Sequence, residues 1–504
     1  MADFDLAVIG AGATGAAIAR DAAGRGIRVL LLDRNDLSSG ASFAPDMLVR
    51  RALLARRGAI GRFRAALGER EVMLATAPHL ARAQRIVLLP QEGNHSALEL
   101  RARLFACDHL ARRRLLAASQ TLNLTHHLYG TALRRQFDFG FAYSDCRVDE
   151  VRLPVANARD AADRGAVVHT RTRLHIERGA DWTLVLNARG RRQSVQVRVL
   201  VNAAGASLND TAARLGVKPP FAIRLVKESY IVAKRVFDHD GGYLLPDRLH
   251  RRYVLALPFA EESMLLGPAE HDAAGDTRAP TPAAADIASL CALANHYFRR
   301  AIELDHVTPF ARIRAIPAAG CRFAPPAPHR LLHLDKPRGL APLLTVCDGP
   351  ALLARGLAQA ALEKIARFFA GAPSWTASTA LAGGDVAPGG LDGLAKEAER
   401  RWPFLSPSRA RRLASSYGSR LTQILRGATQ AGDLGERFGA DLTAAEIRYL
   451  MREEWAETAD DVLWRRSALG TGFSPSERDA LARFMAAESA VSERKRPDGR
   501  GADG

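Results

Sequence analysis

Six residues near the N-terminus have the types and spacing to hold a pyrophosphate. Gly10-Ala11-Gly12-Ala13-Thr14-Gly15 follows the short apolar run Phe4–Ile9 and opens an alanine-rich stretch, Ala16–Arg25. Glycine at 10 permits a tight turn, at 12 it lets the backbone approach phosphate oxygens, and at 15 it lets helix and strand pack closely. The helix that starts there aims free N–H groups and its positive dipole end at the phosphates. A second apolar run, Ile27–Asp33, ends on an acid at about the 20-residue spacing at which such units bind a ribose hydroxyl. Strand, glycine turn, helix, strand and acid together predict a dinucleotide-binding βαβ unit.

The turn alone fits NAD or FAD. Its place at the start of a long chain favours FAD, and three later segments support that choice. Asn35-Asp36-Leu37-Ser38-Ser39-Gly40-Ala41-Ser42 supplies small hydroxyl residues and a glycine that could line a pyrophosphate and flavin. Val201-Asn202-Ala203-Ala204-Gly205 ends a strand in a second glycine turn, and Asp348-Gly349 precedes a helix whose N-terminus would lie near the flavin ring. The expected FAD contacts are Gly10, Ala11, Gly12, Ala13, Thr14, Gly15, Asp33, Arg34, Ser39, Gly40, Ser42, Gly205 and Gly349.

These residues need elements to position them. Val155–Arg164 reads as helix, and Ala166–Thr172, Trp182–Asn187 and Gln196–Ala203 read as strands. Arg224–Ala233, Tyr253–Pro258, Ser263–Gly267 and Leu343–Val346 are further strands, and Pro350–Phe369 is a helix. Residues 50–87 show helix-period apolar positions among many arginines. Residues 268–284 read as a polar loop, 382–390 as a glycine-rich linker, 391–487 as helical, and the polar end from Ser492 as disordered.

The chain has 504 residues, 47% hydrophobic and 25% charged, which suits about three globular domains and excludes wholesale disorder. No run of about 18 apolar residues spans a membrane, and the N-terminus lacks a signal-peptide pattern. The five cysteines are scattered without metal-ligand spacing, so no metal site is expected and reduced cytoplasmic thiols are. A net charge of +17 favours anionic partners. Arginine bias explains much of that charge, and no nucleic-acid-binding pattern accompanies it.

Together the blocks FDLAVIGAGATGAAIARDAAGRGIRVLLLDRNDLSSG (4–40), GEREVMLATAPHL (68–80), FAYSDCRVDEVRL (141–153), RTR (171–173), VNAAG (201–205), RLVKESYIV (224–232), FDHD (237–240) and EIRYLMREEWAETADDVLWRRSAL (446–469) resemble the FAD-dependent, respiratory glycerol-3-phosphate dehydrogenase family. The resemblance implies an α/β fold: an FAD-binding Rossmann-like βαβ core, a β-rich substrate cap and an α-helical C-terminal domain. Residues 1–80, 141–220 and 305–372 would form the FAD-binding domain and 81–140 with 221–304 the cap. Residues 391–487 would form the helical domain, and 488–504 a disordered tail. The implied reaction oxidises glycerol 3-phosphate, a small phosphorylated polyol, to dihydroxyacetone phosphate and passes electrons to membrane quinone. It implies a cytoplasmic protein with a peripheral contact at the inner face of the cell membrane, and it admits a homodimer.

The departures from the family fall on its chemistry. The family's Lys, His, paired Gly, Arg and Tyr after the Ser-rich segment correspond to Met47, Arg50, Arg51, Ala52, Leu54 and Ala55. Its Gly-Gly-Lys-x-Thr-Thr-Tyr-Arg corresponds to Asp348–Arg355, where the lysine and threonines are lost and, besides Gly349, only the last arginine survives. Its Val-Arg-Pro corresponds to Ile313-Arg314-Ala315, which leaves Arg314 as the candidate phosphate ligand. Arginine suits that role because its planar fork matches phosphate oxygens. Two alternatives stay open beside the family reaction: an FAD oxidoreductase with another substrate, and a catalytically silent relative that retains the fold. Lys227 reads as a solvated or structural lysine, His239 as a turn residue, His271 as a surface-loop histidine, Cys146 as structural, and Trp455 and Trp464 as packing in the C-terminal domain. The basic stretch Arg50–Arg64 reads as a solvated helix face over a core stripe.

Overall fold

The computed structural model describes residues 2–494 except 41–46, 55–62, 91–95, 135–136, 189, 251, 261, 274–279, 319–330, 348 and 387–389. The first elements are β1 (Phe4–Ile9), α1 (Ala13–Gly24), β2 (Val29–Leu32), α2 (Leu48–Leu54), α3 (Arg64–Thr76), β3 (Ala81–Leu88), α4 (Ala97–His109), β4 (Gln120–Asn123), β5 (Phe139–Val148) and α5 (Arg152–Asp163). They are followed by β6 (Val167–His169), β7 (Arg173–Arg178), β8 (Trp182–Ala188), β9 (Arg191–Asn202), α6 (Leu208–Arg214), β10 (Ile223–Lys234), β11 (Gly242–Asp247), β12 (Arg252–Ala260), β13 (Ser263–Asp272), α7 (Ala284–Tyr297) and β14 (Thr308–Pro317). The last are β15 (Leu332–Asp335), β16 (Leu343–Val346), α8 (Ala354–Ile365), α9 (Gly390–Arg401), α10 (Pro407–Tyr417), α11 (Leu421–Ile424), α12 (Ala444–Glu453) and α13 (Pro475–Arg494).

Two sheets organise these strands. In the first, the order β15-β16-β9-β1-β2-β6 is parallel from β16 to β6, and the hairpin β7–β8 pairs onto β9. The central strands are apolar on both faces: Leu6, Ala7, Val8, Leu30, Leu31 and Val201 have no exposed surface. That is the composition of a sheet covered on both sides. α1 lies against α5 and α8 on one face, where its alanines permit close approach. Trp182, Leu184, Val195 and Leu343 fill the other.

The second sheet runs β14-β10-β13-β12-β11-β3-β5-β4 and is antiparallel except for β11 against β3. One part of it packs on α7 and another on α2, α3 and α4. The strands β5 and β14, which the sequence-based boundaries place within the FAD-binding segments, pair within this sheet. Residues 268–272, expected in a loop, continue β13, with Glu270 opposite Glu228 and Asp272 opposite Val226 of β10. Within 50–87, the expected helical pattern gives way to β3.

Past α8 the chain is helical, with its own core around Trp402, Leu413, Tyr417, Leu450, Leu463 and Leu481. The expected linker is tightly packed where it is described. A Cβ on Gly383 would lie 2.3 Å from the Tyr417 carbonyl oxygen, and one on Gly418 would lie 1.8 Å from the Gly383 carbonyl oxygen. Helix α13 continues to Arg494, beyond the expected start of the tail; the remaining residues lie outside the described ones.

Candidate active site

Parallel pairing brings the carboxyl ends of β1, β2 and β9 to one edge, with Ile9 opposite both Leu32 and Asn202. The β1–α1 turn emerges there. Gly10 has φ +105°, and a Cβ on it would lie 2.4 Å from the Ala203 carbonyl oxygen. A Cβ on Gly15 would lie 1.8 Å from the Gly10 carbonyl oxygen, so turn and helix can close only with glycine at both positions. At Gly12, in contrast, a Cβ would meet nothing within 4 Å. The turn is tight toward the protein and open toward a ligand. The first turn of α1 carries no side-chain cap and no acidic residue, which leaves its N–H groups and dipole to an anion.

Asp33 ends β2 beneath this turn. Its carboxylate accepts from the backbone N–H of Ala11 (2.8 Å) and of Asn35 (2.8 Å). Each oxygen keeps a lone pair for a ribose hydroxyl. Burial pushes its pKa upward. Arg34 crosses the edge to donate to Ser207 Oγ (2.8 Å) in the turn that follows Gly205. Asn202, fully buried, fixes that turn by donating to the Leu208 carbonyl oxygen and accepting from Ala204 N–H. Ser39 and Gly40 lie exposed beside Ser38, whose hydroxyl donates to the Val151 carbonyl oxygen at 2.6 Å. Gly349 follows β16, itself parallel to β9, and precedes the short turn that leads into α8. The structure thus gathers Gly10–Gly15, Asp33, Arg34, Gly205 and Gly349 at one edge, whereas Ser42 lies outside the described residues. The open Gly12 face and uncapped helix start fit an FAD pyrophosphate, and Asp33 fits its ribose.

The second sheet carries a charged cluster on β10, β13 and β14, and β14 runs beside the Gly205–Ser207 turn. Its centre is Glu228 of β10, only 1% exposed. One carboxylate oxygen accepts from Arg314 Nε (2.7 Å) and lies 2.6 Å from its Nη2. The other accepts from Arg312 Nε (2.6 Å) and from the Tyr230 hydroxyl (3.0 Å). The two arginines share a face of β14 because they are two residues apart. Arg312 also donates to Glu150 (2.7 Å), just before α5. Arg50 of α2 donates to Glu270 of β13 (3.1 Å) and to the Tyr253 carbonyl oxygen (3.2 Å). Among the described residues, three guanidinium groups therefore meet three carboxylates. Arg312 and Arg314 hold the Glu228 carboxyl far below the usual range, against its burial.

Arg314, the expected phosphate ligand, thus stands on β14 with its fork on a protein carboxylate. Glu228 was not foreseen. Its only sequence trace is an acid among the strand residues of RLVKESYIV, together with arginines at 312 and 314 that alternation puts on one face.

The altered segments fill space with apolar side chains. Met47, Val49, Ala52 and Leu53 are buried between the second sheet, α3 and α4, and Leu352 packs with them. Arg50 and Arg51 are buried too, which corrects the expectation of a solvated basic face; the segment beyond Leu54 to 62 lies outside the described residues. Helix α2 is tied by Asp145, which accepts from Val49 N–H (2.7 Å) and Arg70. Arg355 pairs with Glu69 of α3. Among the other expectations, Lys227 reaches the Thr281 carbonyl oxygen. His239 lies in the bend at 237–240 between β10 and β11, and its ring is buried there against Phe237 and Tyr243. His271 lies on β13 and pairs with Asp286. Trp455 packs on the core of the first sheet rather than within the C-terminal helices, where Trp464 does pack.

An FAD-shaped βαβ edge beside an arginine-bearing cap sheet defines a flavin-dependent oxidoreductase. The family model described as FAD dependent oxidoreductase matches residues 5–342, and that of the C-terminal domain of alpha-glycerophosphate oxidase matches 353–496. The chain is 36% identical over 500 residues to glycerol-3-phosphate dehydrogenase of Pseudomonas aeruginosa, covering 96% of this chain and 95% of that one. It is 33% identical over 493 residues to D-erythritol 1-phosphate dehydrogenase of Brucella abortus, covering 95% and 97%. The fold matches glycerol-3-phosphate dehydrogenase from Bacillus halodurans complexed with FAD, with a TM-score of 0.72 at 22% identity over 97% of this chain and 92% of that one. The chain belongs to the FAD-dependent glycerol-3-phosphate dehydrogenase family, and its cofactor is FAD.

Proposed function

We propose that this chain oxidises the secondary hydroxyl of glycerol 3-phosphate to give dihydroxyacetone phosphate and passes the electrons to membrane quinone. FAD, when bound, supplies the two-electron acceptor. Gly10, Ala11, Gly12, Ala13, Thr14 and Gly15 would hold its pyrophosphate and Asp33 its ribose. Arg34, Ser39, Gly40, Ser42, Gly205 and Gly349 would line the rest of that edge. The observation that carries the reading is Arg314, a guanidinium on the strand that contacts the Gly205–Ser207 turn, in a chain with relatives at 36% and 33% identity named as glycerol-3-phosphate dehydrogenase and D-erythritol 1-phosphate dehydrogenase. Arg314 would orient the phosphate and so bring the carbinol carbon to the flavin side of the cap.

Among the described residues no helix is long and apolar enough to cross a membrane. A peripheral contact is supported by α4, which exposes 80% of Leu98 and 55% of Phe105 on one face. Arg112, Arg114 and exposed Leu115 follow directly. That combination suits an anionic lipid surface. A second reading, a different phosphorylated polyol, is favoured by the buried, apolar Met47 where the family has a lysine.

Anaerobic addition of glycerol 3-phosphate to the purified flavoprotein tests the choice. Bleaching of the flavin spectrum is expected. A flavin unchanged at saturating glycerol 3-phosphate but bleached by another polyol phosphate would establish the second reading instead.

A further inference from the structure

We propose that Glu228 is a specificity-determining residue that occupies, from within the protein, the anion seat formed by Arg312 and Arg314. This rests on the reading of Arg314 as the phosphate ligand. The geometry is that of a bound anion. A single buried carboxylate takes the Nε of both arginines, at 2.6 and 2.7 Å, the Tyr230 hydroxyl at 3.0 Å and a second nitrogen of Arg314 at 2.6 Å. These are lengths of charge-assisted hydrogen bonds. A phosphate monoester offers the same arginines the same kind of oxygen, so ligand and carboxylate compete for one set of donors.

The surroundings sharpen the competition. Glu270 lies opposite Glu228 in the sheet and 3.9 Å from Arg314 Nη2, and Glu150 neutralises the far side of Arg312. Arg50, from α2, is drawn to Glu270. An incoming dianion therefore meets guanidinium groups that already hold carboxylates. It gains the seat only by turning Glu228 out or by binding the outer edge of Arg314, whose side chain is 19% exposed against 9% for Arg312. The site therefore binds small phosphate dianions weakly. It favours polyol phosphates whose hydroxyl groups add contacts beyond the phosphate.

The test is the dissociation constant of inorganic phosphate and of glycerol 3-phosphate for the FAD-loaded protein, read from the flavin difference spectrum, in the wild type and in Glu228→Gln. Glu228→Gln is expected to tighten both at least tenfold and to lower the KM for glycerol 3-phosphate. Because that variant leaves buried arginines short of one charge, a charge-balanced double variant, Glu228→Gln with Arg312→Gln, is measured beside it; phosphate binding at Arg314 should again tighten. Phosphate affinities within twofold of the wild type in both variants, or weaker, would overturn the inference. Tighter phosphate with no flavin reduction by glycerol 3-phosphate would uphold it and remove the proposed substrate instead.

Discussion

His79 shows how one buried side chain carries pH dependence into the fold. It sits between α3 and β3, is 6% exposed, and has no hydrogen-bond partner at Nδ1. Burial, and after it the nearby Arg152 guanidinium, hold its pKa down to about 3 from the usual 6.5. In the unfolded chain the ring takes up a proton below pH 6.5, while in the folded protein it stays neutral until about pH 3. The unfolded state thus binds more protons throughout that window, and stability falls as pH falls, by about 1.4 kcal/mol per unit from this group alone. Between pH 7 and pH 5 the wild type should therefore lose about 2 kcal/mol that His79→Gln retains. Denaturant midpoints of the two proteins at both pH values measure this, and parallel pH slopes would show that the ring is not the source. Glu228 is the opposite case, a carboxyl held charged by Arg312 and Arg314. Its contribution is present above pH 4.5 and is lost as pH falls toward its depressed folded value.

At the scale of elements, α4 presents two faces with different tasks. Leu100, Leu104 and Cys107 point into the core, while Leu98 and Phe105, seven residues apart, share the outer side. Changing Leu98→Glu and Phe105→Glu together should cut sedimentation with anionic lipid vesicles severalfold and leave thermal stability unchanged, since neither side chain is buried. Equal sedimentation of variant and wild type would move the contact elsewhere. The elements also show what could be read ahead of the structure. The βαβ start, β9, β10 and β16 were legible because apolar runs bounded by glycine or turn residues fix them. Strand β3 was not: Arg82, Gln84 and Arg85 break the alternation, so ARAQRIVL passes for the end of a helix. Strand β11 contains Pro246, and β14 opens on Thr-Pro and carries two arginines, which argues against a strand when read locally. The same cause hid the site. A charge in a strand reads as solvent-facing, and only the pairing of β10 with β14 and β13 reveals that Glu228 is enclosed. The cofactor edge was legible because its glycines act through local backbone geometry; the anion seat was not, because it depends on residues brought together from α2, β10, β13 and β14.

Across the whole molecule, the C-terminal helices are joined to the cofactor edge by a chain of buried charges. Glu446, with no exposed surface, accepts from Arg412 and from the Tyr417 hydroxyl. Arg152, at the start of α5, lies over the Tyr417 ring and forks onto Glu454. Arg466, also without exposed side-chain surface, donates to the Glu454 carbonyl oxygen and, through both terminal nitrogens, to Asp36 at 2.9 and 3.0 Å. Arg465 adds a contact to Asp36 at 2.8 Å, and Asp461 binds Arg465 and Arg171. Asp36 belongs to the loop that runs from Asp33 to Gly40, so the C-terminal domain grips the segment proposed to line the cofactor. Removing one member of a buried pair strands its partner, at a cost of about 3–5 kcal/mol. Arg466→Met should therefore lower the stability of the holoprotein by about that amount. It should also release FAD during gel filtration, because the 33–40 loop loses its anchor. Arg412→Met is the control: it strands the equally buried Glu446 carboxylate within the C-terminal helices, so it should destabilise without loosening FAD. If both variants keep FAD equally well, or lose it equally, the charge chain holds the domains together without positioning the cofactor loop. If only Arg466→Met loses it, the C-terminal domain is part of the cofactor site.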